Sequence, residues 1–444
     1  MSTRRDRYRP ENLTRFDSPI ARPVALTPHG RRLHVHLPKK ADSVDTARVV
    51  VAGDWAAVRE FAGVADLSPG SVYGSLHPII AQADLSIVNL ECPLGGETPI
   101  VKDGPNFRCE PSCASALTRA GFHVATLANN HIYDQGADGL SATLQVCREA
   151  GLMTVGAGAD IESAMEPLFV DVQGIRLGVL SLSEVTTIDR HNGGAGPIFD
   201  VHVPDRCRQA KRHCDQLLVI VHGGKEYAPV PPPYWIQQVF AVAQVGADAI
   251  VGHHPHVPQG LTLVETRDGR SVPVVFSTGN FVFPPRCATA VMSAWMELGY
   301  LVELGFDSRG VTRLDLLPYH IQPPRGVQAL NEEQTVRFGT FLQALSDPLC
   351  DPVEIERWFD DCCDYFWRHE WYDRVEGLTA KLCRDEIAGL KHGRSHFQIR
   401  AHSTLIDRVI ARKLAGTFGD TPPKRLDALE RWFRGDWPER VLEG

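Results

Sequence analysis

A chain of 444 residues, 43% hydrophobic and 23% charged, has ample apolar material for one large or two medium domains and reads as a soluble globular protein. A net charge of -8 does not point to nucleic acid as a partner of the whole protein. No run approaches the length of a membrane-spanning helix, and eleven cysteines without a C-x-x-C framework suit free thiols in a reducing, cytoplasmic compartment.

Residues 1–47 are expected to form a basic N-terminal extension draped over the surface: Arg4, Arg5, Arg7, Arg9 and Arg15 face only Asp6, Glu11 and Asp17, and no apolar run of signal length follows Arg4-Arg5. Order begins with a strand over 48–52 that ends in Gly53-Asp54. Asp54 stands where open α/β sheets place their sites, or else caps a following helix. A helical stretch at 75–83 precedes a second strand, 85–91, with Asn89 and Glu91 on one side by period two. The Gly/Pro-containing loop 95–111 is long enough to overhang a site. A short helix near 112–121 leads to strand 123–127, which runs into Asn129-Asn130-His131 and Asp134.

Residues 137–150 carry Leu140, Leu144 and Cys147 on one helical face, with Gly151 at C′. A hairpin follows, 168–172 and 175–180, turning at Gln173-Gly174. The Gly-rich stretch 192–196 lacks the strand-to-helix setting of a nucleotide cradle. Strand 217–221 ends at His222-Gly223-Gly224-Lys225-Glu226-Tyr227, and a helix over 234–246 returns to a buried strand, 247–251. That strand opens into Gly252-His253-His254-Pro255-His256-Val257. In an extended segment, His254 and His256 would send their rings to the same side, as two ligands of a borderline metal require. A second hairpin, about 260–276 with Asp268-Gly269 as its turn, ends in Gly279-Asn280-Phe281, and strands near 296–306 and 311–320 complete the sheet region. From about 330 the chain turns helical, with Ile355, Trp358, Phe359, Cys362 and Phe366 in a stripe. These helices are expected to pack on the core, with a lid or partner-binding module as the alternative.

Six strand ends thus carry polar sets: Asp54; Asn89 and Glu91; Asn130 and His131; His222; His254 and His256; Asn280. A purely structural sheet has no reason for this pattern. A dinuclear centre does, since two cations about 3.5–4 Å apart need a bridging carboxylate, several imidazole or amide ligands and open positions. Mixed N/O ligands without cysteine favour manganese, iron or zinc.

The same motifs, Gly53-Asp54, Asn89-Leu90-Glu91, Asn129-Asn130-His131 with Asp134 and Gly136, His222-x-Gly-x-Glu226-Tyr227, Gly252 to Val257 and Gly279-Asn280-Phe281, stand in the order seen in the CapA-like family. That family is named for poly-γ-glutamate capsule synthesis and belongs to the calcineurin-like metallophosphoesterase superfamily. The resemblance covers about residues 48–285. It implies an α/β fold, a four-layer α/β/β/α metallophosphatase-like sandwich over 48–325, with 326–444 as a helical C-terminal region. It implies Asp54, Glu91, Asn130, His222, His254 and His256 as ligands of two divalent metal ions. His131 is implied as the non-ligand histidine that meets the substrate, and Asp134 as the group that orients it. Asn89, Glu226, Asn280 and His253 are expected in supporting or substrate-facing places.

Two departures stand out. Gly223 replaces the tryptophan usual in the family's H-W-G-x-E-Y motif, and the N-terminal membrane anchor common in capsule-type members has no counterpart in the apolar pattern here. The sequence therefore reads first as a soluble hydrolase attacking a phosphate ester or anhydride of a small phosphorylated or anionic substrate. The alternatives are a biosynthetic protein for poly-γ-glutamate or a related amide-linked product, and a metal-bound scaffold without turnover. The 95–111 and 185–200 loops, the 229–233 stretch and the C-terminal region are the candidate substrate determinants, with Arg108, Arg190 and Lys225 as basic groups that could meet an anion.

Overall fold

Along strand Ala47–Trp55, Val49 and Val51 point one way and Val50 and Ala52 the other, and all four are fully buried. Strand Gln216–His222 repeats the pattern, with Leu218 and Ile220 on one face and Leu217, Val219 and Val221 on the other. Strands that are apolar on both faces must be covered on both. That demand organises the computed structural model, which describes residues 20–38, 46–187, 192–284, 293–369, 377–419, 422–434 and 440–442. Most of the basic N-terminal stretch, and Arg190, lie outside the described residues.

Two mixed sheets result. One runs Ile20–Arg22, Leu261–Glu265, Ser271–Val275, Ala249–His253, Gln216–His222, Ile175–Ser183, Leu168–Val172, with its four central strands parallel. The main path of the other runs Leu26–His29, Arg32–Val35, Gly310–Gln322, Leu298–Asp307, Ala47–Trp55, Leu85–Leu90, Val124–Thr126, Met153–Val155, parallel over its last four strands. Val49, Val51, Leu218, Ile220 and Val251 share one apolar cluster between the sheets. Val50 and Ala52 meet helices Ser112–Arg119 and Gly136–Glu149 on the outer side of the larger sheet. Leu217, Val219 and Val221 meet helices Val203–Arg212 and Pro233–Gln244 on the outer side of the smaller one.

Residues 20–38 correct the expected extension, since they supply a strand to each sheet edge and a hairpin. The alternation Arg32-Leu33-His34-Val35 was the missed signal. Leu33 and Val35 are fully buried, while Arg32 reaches the buried Glu303 at 2.6 Å. The expected helical region 326–444 begins instead with a strand, Gly326–Ala329, paired to Gly310–Gln322, and then runs in helices Glu332–Ser346, Pro352–His369, Gly377–Arg384, Glu386–Gln398, Arg400–Ala415 and Pro423–Arg434. The predicted stripe on the second of these divides: Ile355 and Trp358 face the smaller sheet's outer cluster, and Phe359 and Phe366 face Leu405, Ile406 and Val409. Among the described residues no helix is long and apolar enough to cross a membrane.

Trp432, on the last of these helices, enters the inter-sheet core. Its ring stacks on Trp295 at 4.0 Å, and Trp295 Nε1 donates to its carbonyl at 2.6 Å. Trp432→Ala is expected to cost about 3–5 kcal/mol in urea denaturation, and Trp432→Phe clearly less.

Candidate metal centre

The parallel strands deliver their polar ends to one edge of the two sheets. Asp54 lies opposite Asn89 on one neighbour and opposite Asn280 on the other, while His222 lies opposite His253. Two glycines permit this crowding. A Cβ at Gly53 would stand 2.3 Å from the Gly279 carbonyl oxygen, and one at Gly252 would stand 2.1 Å from that of Phe276. Asp54 lies inside strand Ala47–Trp55, at a bulge, so it is not a helix cap.

The two histidines of the H-x-H motif converge for a different reason from the expected one. Their strand ends at His253, and His254 (φ 97°) and His256 (φ 59°) both adopt left-handed backbone angles that disfavour side chains with a Cβ. Tyr227 (φ 62°) does the same. A tight loop, not an extended segment, turns the two rings inward. Strained backbone of this kind is held in place by its surroundings and clusters at functional sites.

Nitrogen or oxygen atoms of Glu91, His254 and His256 lie within 4.8 Å of one another, as do those of Asp54, Glu91 and His222. His222 Nε2 stands 2.8 Å from Asn130 Oδ1 and 3.1 Å from His254 Nδ1. His256 Nδ1 is 2.9 Å from Asn280 Oδ1 and 3.4 Å from Asp54 Oδ2. Asn89 Nδ2 donates to Asp54 Oδ1 at 2.7 Å and is itself held by Asn129 Nδ2, which donates to Asn89 Oδ1 at 3.2 Å. All six residues carried over as ligands therefore gather at one edge, with Asn89 and Asn280 behind them. His253 turns aside: its Nδ1 is 3.1 Å from Thr278 Oγ1 and 3.6 Å from Asp54 Oδ1.

Both oxygens of Glu91 are buried without a hydrogen-bond partner among the described residues. Burial, with the neighbouring Asp54 carboxylate adding to it, pushes the Glu91 carboxyl up to about 8. Burial would also raise Asp54, but a hydrogen bond from His256 and the nearby His253, His256 and His222 hold it well below the carboxylate range. Burial pulls His222 down to about 3 and His254 well below its ordinary value. His256 goes the other way: burial lowers it, yet Glu91 and Asp54 together raise it to about 10. Two carboxylates and three imidazoles, with an amide oxygen alongside and no thiolate, fit a divalent cation, and such an ion would satisfy the orphaned Glu91 oxygens.

A second polar group adjoins the first. His131 Nδ1 lies 2.7 Å from Asp134 Oδ2, and Asp134 also accepts from the Phe107 amide at 2.6 Å and from Lys102. Asp134 thus binds His131, not the first turn of helix Gly136–Glu149, whose N-cap is Gln135. Burial lowers the His131 imidazole, and Lys102 lowers it further. The Phe107 ring stacks on His131 at 4.2 Å. Lys102 and Phe107 had gone unnoticed in the sequence, although the loop that carries them was marked as overhanging. Tyr227 and Phe283 stack on His256, and the space beside Gly223 is filled by Trp235, whose ring would meet a Cβ there at 2.6 Å.

Fold and site together describe a mixed α/β protein with a buried His/Asp/Glu cluster suited to metal at the carboxyl ends of its parallel strands. A family profile described as bacterial capsule synthesis protein PGA_cap matches residues 48–285, more than half of the chain, and the chain belongs to that family. It is 27% identical over 286 residues to the capsule biosynthesis protein CapA of Bacillus anthracis, covering 60% of this chain and 66% of that protein. It is 28% identical over 259 residues to the PGA biosynthesis protein CapA of Bacillus subtilis (strain 168), covering 56% and 65%. The chain spans just under two thirds of the length of these curated relatives. Among solved structures, a 5′-nucleotidase from Candida albicans SC5314 overlays with a TM-score of 0.35 at 10% identity, over 72% of this chain and 60% of that one. A likeness that loose says nothing of activity.

Stability of the metal-free protein should fall between about pH 7.5 and pH 9. In that window the folded state keeps a proton on His256, and up to about pH 8 also on Glu91, that the unfolded state has released, so folding binds more protons and weakens as they are withdrawn. His131, His222, His253 and His254, all held down, act in the opposite sense only until their unfolded imidazoles have lost their protons, by about pH 7.5. One proton retained across the window is worth about 2 kcal/mol. Urea midpoints measured with chelator should show the decline, and added Mn²⁺ should flatten it.

Proposed function

We propose that this chain is a metal-dependent biosynthetic protein of the capsule type, acting on poly-γ-glutamate or a related amide-linked product at a centre of two divalent ions, manganese, iron or zinc. The observation that carries this reading is the buried Glu91 carboxylate, without a hydrogen bond among the described residues, at the meeting point of Asp54, His222, His254 and His256. Family membership supports the substrate class. In this reading Asp54, Glu91, Asn130, His222, His254 and His256 hold the metals, and Asn89 keeps Asp54 oriented. The order of helices, larger sheet, smaller sheet and helices supports placing residues 48–325 among four-layer metallophosphatase-like sandwiches.

The bound ions would supply Lewis acidity and a water of lowered pKa. The chain's own chemistry lies with His131. Asp134 accepts from its Nδ1–H, which fixes the tautomer whose Nε2 carries the lone pair: Nε2 takes a proton from the attacking water and then passes that proton to a departing nitrogen or oxygen. Phe107 shields that ring from water, and Lys102 places a cation beside it.

One observation favours a second reading, hydrolysis of a phosphate ester or anhydride: the Lys102 ammonium, 3.2 Å from His131 Nδ1, also suits a phosphoryl oxygen. The test is metal analysis of purified protein, joined to a panel of γ-glutamyl amide, acyl-phosphate and phosphate-ester substrates. Partners outside the ligand shell alone are worth about 10–100-fold in metal affinity, so His254→Ala is expected to lose more. Full metal stoichiometry in that variant refutes the ligand assignment. His131→Gln should keep its metal and lose about 10²–10⁴-fold in turnover. Turnover confined to phosphate esters would favour the second reading.

A further inference from the structure

Residues beyond the stretch shared with the family reach both rims of the metal centre. On one rim is Asp103, next to Lys102, in the loop that seats Phe107 on His131. His392, in helix Glu386–Gln398, brings Nδ1 to 3.7 Å from Asp103 Oδ2 and 3.0 Å from Lys381 Nζ, so His392 stands between the two charges. On the other rim are Phe199, Tyr234, Glu184 and Glu226. Arg400, opening helix Arg400–Ala415, lies over the Phe199 ring at 4.1 Å and the Tyr234 ring at 6.0 Å. The Tyr234 hydroxyl donates to Glu184 Oε1 at 2.8 Å, and Arg400 acts electrostatically on that carboxylate. Leu405, on the same helix, lines a small cavity with Lys225, Ala228 and Val230. Between Arg400 and Leu405 stands His402, whose Nδ1 lies 3.0 Å from the Ser395 carbonyl oxygen and so ties the start of this helix to the end of the preceding one.

The two helices join at Ile399, so one short junction links the His392 contact with Asp103 to the Arg400 contact with Phe199. His131, His222, His254 and His256 are only 2–6% exposed. A substrate as large as a polymer end reaches them only if this junction moves.

We propose that residues 392–402 form a substrate-gated cap, held down by His392, backed by Lys381, against Asp103 and by Arg400 against the Phe199, Tyr234 and Glu184 wall, and opened by a carboxylate-bearing polyanion that takes Lys381 and Arg400 over. The choice of polyanion rests on the biosynthetic reading above. Exchange of carboxylate for carboxylate forms and breaks no covalent bond. Partly exposed ion pairs are individually weak, and a chain of regularly spaced carboxylates engages several cations at once. Asp103 is 39% exposed at its side chain and so open to displacement.

The test is amide hydrogen exchange on the full-length chain, read at residues 222–229 and 252–257. The double variant Arg400→Ala/His402→Ala should speed exchange there by about fivefold or more, through easier local opening. Asp103→Asn, on the far rim and away from the helices, should act in the same direction. A γ-linked glutamate decamer should accelerate exchange in the unaltered protein and do nothing further in the double variant, with tripolyphosphate as the parallel arm. Unchanged exchange in both variants overturns the cap, and a decamer without effect, or an effect of tripolyphosphate alone, overturns its polycarboxylate gating. Should the double variant not fold, Asp103→Asn and the decamer decide. Metal content measured on the same unaltered protein reports separately on the metal centre, so failure of that reading is told apart from failure of the cap.

Discussion

A carboxylate with both oxygens buried and no hydrogen bond among the described residues is the constraint around which this molecule is arranged. Glu91 is surrounded by groups that are themselves acceptors or neutral rings, and the one imidazole held protonated beside it, His256, is shared with Asp54. Left alone, such a site is destabilising, because desolvation and like charge both act against the ionised form. The surroundings accept that cost: three residues with side chains take left-handed backbone angles, and two glycines let strands approach where no Cβ would fit. A core this well packed could have been built from apolar residues throughout. Its polar edge instead gathers groups of the kind that can hold a metal ion.

The packing explains how the cluster stays in register. Strands that are buried on both faces cannot slip without exposing valines and isoleucines to the wrong layer, so their ends are fixed to within a residue. The ligand candidates sit at or just past such ends, and side-chain amides hold Asp54, His222 and His256 from behind. Asn129, Asn89 and Asp54 form one such chain, and Asn280 holds His256 in another.

The C-terminal helices are not an appendage. Trp432 stacks on Trp295 inside the inter-sheet core and donates its indole N–H to the Tyr227 carbonyl at 3.3 Å, while Tyr227 in turn stacks on His256. Helix Glu332–Ser346 adds Phe338, Phe341, Leu342 and Leu345 to the same core. The family match covers the strands that carry the polar edge, while this region packs into the inter-sheet core and, through Tyr227, against His256.

Local pattern determined a good deal by itself. Apolar runs marked the parallel strands, turn residues marked both hairpins, and polar sets at strand ends marked Asp54, Glu91, Asn130, His222, His254 and His256 before any fold was known. What the chain could not announce was distance. Lys102 and Phe107 come from a loop with no periodicity, and nothing in their neighbours along the sequence says that they meet His131. Residues 20–38 looked like a solvated arm because Arg and Pro outweigh a four-residue alternation, yet partners about 240 to 290 positions away turn them into sheet edges. The inward turn of His254 and His256 likewise depends on backbone angles that no residue type there prefers. Side-chain chemistry and period are local properties and can be read from sequence; strain, enclosure and long-range pairing exist only once the layers have closed on each other.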